Sequence, residues 1–180
     1  MNRYISMLRG INVSGYNKIS MTDLKNLYES IDFRNVVTYG LSGNVIFNST
    51  KQDVLKLSYQ IETKLKKSFD LSVPVLLRNK DDLQRIISDN PFVKRNEDPA
   101  KLHVTFLLTP STPSDLNILS SPPNERDEFI ILNKEIFLFC LNGYGRTKLT
   151  NTFFEKKLNV TATTRNWNTV NALYKLANER

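Results

Sequence analysis

Two matching segments decide the fold: VPVLLRN at residues 73–79 and VTATTRN at residues 160–166, at a constant offset of 87 residues. In each segment a β-rich run ends in an Arg-Asn pair, and apolar residues at helical spacing follow it. Leu83 beyond the first segment corresponds to Val170 beyond the second. The match predicts the same strand-to-helix junction twice, and therefore an internal duplication.

The first half contains a complete set of alternating strands and helices. The predicted elements are a strand at 3–9, a helix at 21–31, a hairpin of strands at 35–39 and 44–48, a helix at 52–69, a strand at 73–78 and a helix from Asn79 that ends before Asn90-Pro91. Ser20, with Asp23 three residues on, is the predicted N-cap of the first helix, and Thr50 that of the second. The order βαββαβ plus a helix is that of a ferredoxin-like unit.

The second half repeats this order less clearly. The predicted elements are a strand at 103–108, a hairpin of strands at 128–132 and 135–140, a helix after Thr152, a strand at 160–164 and a helix from Asn166. Residues 109–123 contain four prolines, so any helix there is short. We therefore predict an α+β protein made by tandem duplication of two ferredoxin-like subdomains, residues 1–97 and 98–180, packed as one unit.

Composition limits the compartment and the partners. A single cysteine, Cys140, excludes an internal disulfide. The N-terminal segment turns polar at Arg9, too early for a signal peptide, and no apolar run is long enough to span a bilayer. These features predict a cytoplasmic protein with no membrane partner. The net charge of +7 favours anionic partners, although solubility alone is an alternative explanation.

The loop at residues 9–20 is long for a connection between a strand and a helix. It contains two glycines and a lysine before a helix N-terminus, where unpaired backbone N–H groups attract anions. The spacing Gly10-x4-Gly15 is similar to a P-loop, but a P-loop needs Lys and Ser/Thr directly after the second glycine. The candidate ligand-binding residues are Arg9, Asn12 and Lys18, and the alternative is a purely structural loop.

The hairpin around residues 40–44 supplies two further candidates, Ser42 and Asn44. Glycine and asparagine are typical of turns because they tolerate unusual backbone angles, so turn formation is the simpler interpretation. The functional alternative is a polar rim beside the loop at residues 9–20.

Two segments of the second half carry the remaining candidates. The glycine-rich segment 142–148 contains Arg146 and Lys148, which suit a phosphate or carboxylate, or else form a solvated turn. The polar segment 163–169 contains Arg165, Asn166 and the only tryptophan, Trp167. Here Asn166 is either a helix cap or a ligand-binding residue, and Trp167 either fills a gap between the halves or stacks on a ligand.

No catalytic constellation emerges from the sequence. Cys140 and His103, each the only member of its type, lie in predicted strands, which makes a Cys–His nucleophile a weak hypothesis. One histidine and one cysteine do not build a metal site, so neither a metal nor a cofactor is predicted. The aromatic pairs of RNA-binding sheets are missing from the central strands, which disfavours nucleic acid as a partner.

Five motifs in order resemble one bacterial family. They are Leu8-Arg9-Gly10-Ile11-Asn12-Val13 with Asn17-Lys18, then Ser42-Gly43-Asn44-Val45, Asn90-Pro91-Phe92, Gly145-Arg146-Thr147-Lys148-Leu149, and residues 162–169. The family is domain of unknown function 1697, and the resemblance covers nearly the whole chain. It implies two ferredoxin-like subdomains in tandem and carries no reaction, substrate or catalytic residue.

Our leading hypothesis is a cytosolic protein that binds a small anionic or phosphorylated ligand in a cleft between the two halves. The residues expected to bind it are Arg9, Asn12, Lys18, Ser42, Asn44, Arg146, Lys148, Arg165, Asn166 and Trp167. The alternatives are a nucleic-acid-binding module, an enzyme acting on a phosphorylated substrate, and a protein–protein adaptor. The sequence leaves the oligomeric state open.

Overall fold

The computed structural model describes residues 1–112, 114, 119–123 and 125–179. The protein is α+β, with two four-stranded antiparallel sheets and, in the described parts of the chain, six α-helices. The strands are β1 Asn2–Leu8, β2 Arg34–Tyr39, β3 Asn44–Ser49, β4 Val75–Asn79, β5 Leu102–Leu107, β6 Glu128–Leu132, β7 Glu135–Phe139 and β8 Ala162–Asn166. The helices are α1 Met21–Glu29, α2 Val54–Phe69, α3 Lys80–Asp89, α4 Pro91–Lys94, α5 Asn151–Leu158 and α6 Trp167–Asn178.

The chain divides into two compact units. The first comprises Met1–Leu83 and the C-terminal residues from Leu173, and the second comprises Gln84–Ala172. The division falls inside α3 and inside α6, so each of these helices contributes residues to both units. The subdomain boundary between residues 97 and 98 stays a prediction.

The sheet of the first unit has the strand order β2-β3-β1-β4, and all neighbouring strands are antiparallel. Because side chains alternate along a strand, β1 directs Tyr4 and Leu8 into one apolar core together with residues of α1 and α2. Ile5 and Met7 on the opposite face are also fully buried. This sheet is therefore covered on both faces, which explains why β1 and β3 consist almost entirely of buried residues.

The sheet of the second unit has the equivalent order, β6-β7-β5-β8, again with antiparallel neighbours. The β6–β7 hairpin turns at Asn133-Lys134 as predicted. The buried residues of one sheet face share a core with Phe154 of α5. The expectation that any helix within residues 109–123 is short concerns a segment in which 113 and 115–118 lie outside the described residues.

Local sequence signals place the starts of α1, α3 and α6 correctly, but the caps of α2 and α5 differ. The Ser20 hydroxyl oxygen accepts a hydrogen bond from the Asp23 N–H at 3.0 Å, which confirms the predicted N-cap of α1. Thr50 is not the cap of α2, because the helix begins later and the Asp53 side chain accepts from the Lys56 N–H at 3.1 Å. Likewise α5 begins at Asn151, capped by Thr150, rather than after Thr152. The short helix α4, capped by Asn90, was not predicted.

The repeated Arg-Asn pair lies at equivalent junctions. Asn79 is the last residue of β4 and its side chain accepts the Asp82 N–H of α3 at 2.8 Å. Asn166 is the last residue of β8 and accepts the Thr169 N–H of α6 at 2.8 Å. The predicted strand-to-helix junctions are therefore present in both halves.

Candidate functional site

The β1–α1 loop, residues 9–20, is held in place by the side chain of Asn12. Its amide nitrogen donates to the carbonyl oxygens of Ile19, at 3.0 Å, and Leu41, at 2.9 Å, and its amide oxygen accepts the Ile19 N–H at 2.9 Å. Asn17 adds a bond from its side chain to the Gly10 carbonyl at 2.9 Å. These bonds close the loop on itself and tie it to the β2–β3 turn, which carries Ser42.

The middle of this loop is a tight turn that differs from a P-loop. Ser14 and Gly15 both have positive φ, 50° and 83°, and the Tyr16 N–H donates to the Val13 carbonyl at 2.9 Å. Two central residues with positive φ are typical of a type I′ turn. The similarity of Gly10-x4-Gly15 to a P-loop is therefore one of spacing, because Gly15 serves a reverse turn six residues before α1 begins.

Lys18 is the exposed cation of this loop. Its side chain passes over Gly15. A Cβ added to Gly15 would lie 3.8 Å from the Cε of Lys18. Within the described residues no carboxylate pairs with the Lys18 ammonium, and the N–H groups of Ser14 and Gly15 make no hydrogen bond. At the N-terminus of α1 the Ser20 hydroxyl oxygen accepts the Asp23 N–H, and the Asp23 carboxylate accepts the Ser20 hydroxyl and adds a negative charge. The turn therefore combines unbonded N–H groups with an exposed ammonium, whereas a carboxylate lies at the start of α1.

The β2–β3 turn packs closely against the loop. The Leu8 N–H donates to the Gly43 carbonyl at 2.9 Å, and the space beside the Gly43 Cα is filled by the side chains of Leu8 and Ile11. The buried Asn44 amide donates to the Tyr39 carbonyl and the Ser42 hydroxyl, both at 3.1 Å. Asn44 therefore shapes the turn, and Ser42 lies exposed on its surface.

In the second unit the two cations of segment 142–148 have different surroundings. The Lys148 ammonium donates to the Pro123 carbonyl at 2.8 Å, and the Lys148 backbone N–H donates to the Glu125 carboxylate at 2.7 Å. The pKa of Glu125 is lowered overall. Burial raises it, but the backbone N–H groups that donate to the carboxylate and the positive charge of Lys148 together outweigh burial. Arg146, in a single 3-10 turn, is exposed and has no ion-pair partner among the described residues. Lys148 thus holds this segment in place, and Arg146 faces solvent.

Arg9 is half-buried at the start of the β1–α1 loop. The other three candidates lie where β8 meets α6 in the second unit, and of these Asn166 is exposed. Arg165 is buried in β8, and its guanidinium donates to the Thr163 hydroxyl at 2.8 Å and the Thr164 carbonyl at 2.9 Å. Its counterpart Arg78 is buried in β4 and donates in the same way to the carbonyl of the preceding residue. Asn166 caps α6, and Trp167 is buried at the start of that helix. Sequence reasoning did not foresee the burial of Arg165, whereas a packed Trp167 was one of its two interpretations.

The sequence also gave no sign of a polar cluster around Thr164. Its hydroxyl lies 2.7 Å from that of Thr105, accepts from the Tyr144 hydroxyl at 3.1 Å and donates to Asn151 at 2.6 Å. The Tyr144 ring also stacks on His103, with centroids 5.0 Å apart. Burial lowers the pKa of His103, and its Nδ1 is buried without a hydrogen-bond partner among the described residues. The participants come from β5, β8, α5 and the 3-10 turn, so no local motif identifies them.

Cys140 does not fit the role of a nucleophile. Its thiol is fully buried in the apolar core of the second unit. Burial and the negative charges of Asp127 and Glu125 raise the pKa of Cys140 to about 12. A reactive cysteine needs a lowered pKa and solvent access, and Cys140 has neither.

We expect native Cys140 to react with iodoacetamide at pH 8 at least about 100-fold more slowly than in the urea-unfolded chain, because thiolate is the reacting species. Mass spectrometry of samples quenched over time gives both rates. Because Cys140 is the only cysteine, the wild-type chain needs no further substitution. Equal rates in the two states would contradict the burial described here.

The described residues contain neither a metal-binding cluster nor a helix that could span a membrane. No group of three or more His, Cys, Asp and Glu side chains in these parts of the chain is arranged to hold a metal ion. None of the described helices combines the length and apolar character needed to cross a membrane.

The fold places this chain among α+β proteins with two four-stranded antiparallel sheets. Residues 1–137 match the family model described as protein of unknown function (DUF1697), and the chain belongs to that family. Among solved structures the chain is similar to the conserved bacterial protein SP0830 from Streptococcus pneumoniae, with 23% identity over 98% of both chains and a TM-score of 0.73. At this identity the likeness establishes a shared fold. None of the curated proteins matches the chain.

Proposed function

We propose that the protein binds a small anionic or phosphorylated ligand at the β1–α1 loop of its first unit. One observation carries the proposal: Lys18 lies over a turn whose N–H groups at Ser14 and Gly15 make no bond within the described residues. Adjacent backbone N–H groups in a turn form a concave site for an anion, and a lysine ammonium adds a full charge.

The rigidity of the loop supports this role. Asn12 makes three hydrogen bonds and Asn17 a fourth, so the turn keeps its shape before any ligand arrives. Preorganisation reduces the entropy that binding must otherwise lose. In this proposal Lys18 contacts the ligand, Asn12 and Asn44 hold the two turns, and Ser42 lies on the adjoining surface.

Substitution of Lys18 by alanine is the direct test. Titration of the 15N-labelled protein with inorganic phosphate and pyrophosphate, followed by amide chemical shifts, is expected to perturb Ser14, Gly15 and Lys18. The Lys18→Ala variant should bind about 10-fold or more weakly, because a hydrogen bond to a charged group contributes about 1.5–3 kcal/mol.

The matched control is Lys25→Ala, which removes the same charge from α1, where Lys25 pairs with Glu29 at 3.8 Å. It should leave the affinity within about 2-fold, since exposed helical ion pairs contribute little. An equal loss in both variants would point to a general charge effect. Shifts centred away from residues 13–18 would overturn the proposed site.

We also propose that each unit is ferredoxin-like and that the two halves arose by tandem duplication. Support comes from the equivalent sheet orders β2-β3-β1-β4 and β6-β7-β5-β8 and from the buried pair Arg78 and Arg165, each followed by a capping asparagine. We assign the protein to the cytoplasm, where a free thiol such as Cys140 stays reduced.

A further inference from the structure

The exposed side of α2 forms a shallow groove in the first unit, separate from the β1–α1 loop. We call it the α2 groove, and its volume is about 440 Å³. The residues that line it are Ile31, Lys51, Lys56, Tyr59, Gln60, Thr63, Lys64 and Lys67. The six on α2 recur at helical spacing, so they form one stripe about 16 Å long along the helix axis.

Hydrogen bonds between three chain segments fix the walls of this groove. The Lys51 ammonium, in the segment before α2, donates to the Gln60 side-chain oxygen at 2.7 Å. The Gln60 side-chain nitrogen in turn donates to the Ile31 carbonyl, beyond the end of α1, at 3.3 Å. Gln60 therefore connects the two walls, which distinguishes this surface from an isolated row of lysines on a helix.

The charge of the groove has one sign. Four of its eight lining residues are lysines, and no acidic residue among the described ones lines it. Lys56 has a carboxylate nearby, Asp53 at 3.6 Å, in an exposed pair of little energetic value. Lys64 and Lys67 have no ion-pair partner in the described parts of the chain. Such a surface attracts a partner with several negative charges along its length.

Tyr59 gives this basic surface a second property. Its side chain is 72% exposed, although burying an aromatic ring of this size is favourable, and it makes no ring contact with a described aromatic residue. Lys56 precedes it by one helical turn and Thr63 follows it by one. An open aromatic face beside lysines is the arrangement on which unpaired bases stack while phosphates meet the charges.

We propose that the α2 groove binds single-stranded nucleic acid. Tyr59 stacks on a base, Lys51, Lys56, Lys64 and Lys67 contact the phosphates, and Gln60 and Thr63 offer hydrogen-bonding groups without a fixed base preference. The groove is open to solvent along the helix, which suits a chain that continues past both ends. Recognition here uses a helix face, and therefore does not need the aromatic pairs on the sheet that RNA-binding ferredoxin-like modules use.

The chemistry favours a single strand over other anionic partners. A duplex stacks its bases on one another, so it offers phosphates to the lysines and no base face to Tyr59. An acidic peptide meets the lysines but has no repeating aromatic group. A free nucleotide supplies one base and few charges, so it uses only part of the stripe.

Fluorescence anisotropy of the full-length protein tests the proposal. The probe is a fluorescein-labelled oligothymidylate of about 20 nucleotides, longer than the stripe, at about 50 mM salt. The oligouridylate of equal length, the duplex with oligodeoxyadenylate, thymidine monophosphate and polyglutamate serve as competitors. The variants are Tyr59→Ala and the double variant Lys64→Ala/Lys67→Ala, with Lys25→Ala/Lys66→Ala as a control that removes two charges elsewhere in the same unit.

The proposal expects Tyr59→Ala to weaken binding about 10-fold, because stacking on one base has that order of effect. The double variant Lys64→Ala/Lys67→Ala should weaken binding by at least the same factor. It should also reduce the slope of log affinity against log salt concentration by about 1.4, because two phosphate contacts are lost. The control should change affinity less than 3-fold. All variants alter exposed or half-exposed side chains, and circular dichroism checks that each is folded.

The proposal would be overturned if the protein did not bind the oligonucleotide at low salt, or bound the duplex with equal affinity. It would also be overturned if polyglutamate or the mononucleotide displaced the probe as effectively as oligouridylate does. Affinity losses in the control variant as large as those in the groove variants would contradict it as well. Unchanged affinity in Tyr59→Ala would remove the stacking role and with it the preference for a single strand. Loss of phosphate binding in Lys18→Ala bears on the β1–α1 loop alone, so the two proposals fail independently.

Discussion

Replacing Gly43 with alanine is expected to lower the free energy of unfolding by about 2–5 kcal/mol, through backbone strain and overpacking together. Gly43 has φ of +74°, which an L-residue adopts at a cost. An added Cβ would lie 2.6 Å from the Ile11 Cδ1 and 2.9 Å from the Leu8 Cβ. Leu8 belongs to β1 and both neighbours are buried, so neither withdraws without disturbing the core.

The structure offers a close control at Gly40 in the same turn. Gly40 also has positive φ, +63°, but a Cβ there would meet no atom within 4 Å. Gly40→Ala should therefore cost about 1–2 kcal/mol from the backbone alone. Urea denaturation of the two variants separates the terms, since their difference measures the close approach of the turn to Leu8 and Ile11. Equal losses would show that the turn does not pack as tightly as described.

This turn also shows how far the sequence predicts the site. From the sequence, Ser42-Gly43-Asn44 is interpreted as a turn, with a polar rim beside the β1–α1 loop as the functional alternative. The hydrogen bond from the Asn12 side chain to the Leu41 carbonyl joins this turn to that loop. The turn residues are a local signal. The bond joins residues 29 positions apart in the sequence, and no local pattern specifies such a contact.

The helix starts illustrate the same difference between local and distant information. Ser20 is identified correctly because its partner Asp23 is three residues away. Thr50 was a reasonable cap by residue type, but Asp53 takes that role where α2 actually begins. Thr and Asp both serve as N-caps, so the sequence alone leaves a choice within a few residues.

The candidate cations were the least predictable part of the molecule. Arg165 follows a polar run, TATT, that gives no sign of burial, yet it lies inside the second unit with its guanidinium bonded to Thr163. Lys148 looked equivalent to Arg146, but its ammonium is engaged by the Pro123 carbonyl. No local sequence pattern indicates the α2 groove, because its walls at Ile31 and Lys51 come from other segments.

The largest loss of stability is expected from Phe47→Ala, about 3–5 kcal/mol, a large share of the total for a domain of this size. Phe47 is fully buried in β3, and its ring stacks on Phe33 with centroids 4.3 Å apart. It also contacts Tyr4 at 5.7 Å and Tyr28 at 5.4 Å between centroids. Removing it leaves a cavity among three rings, which come from β1, α1 and the segment before β2, so the surroundings cannot close over it without moving the sheet.

Phe69→Ala is the matched control, because it removes the same side chain from the last residue of α2, where it is 38% exposed. We expect that variant to lose less than about 1 kcal/mol. Urea denaturation gives both values, and near-ultraviolet circular dichroism reports on the packing of Tyr4 and Tyr28 around the vacated site. If Phe47→Ala cost no more than the control, the aromatic cluster would not be the centre of the first unit's core, to which Leu8 and Ile11 also belong.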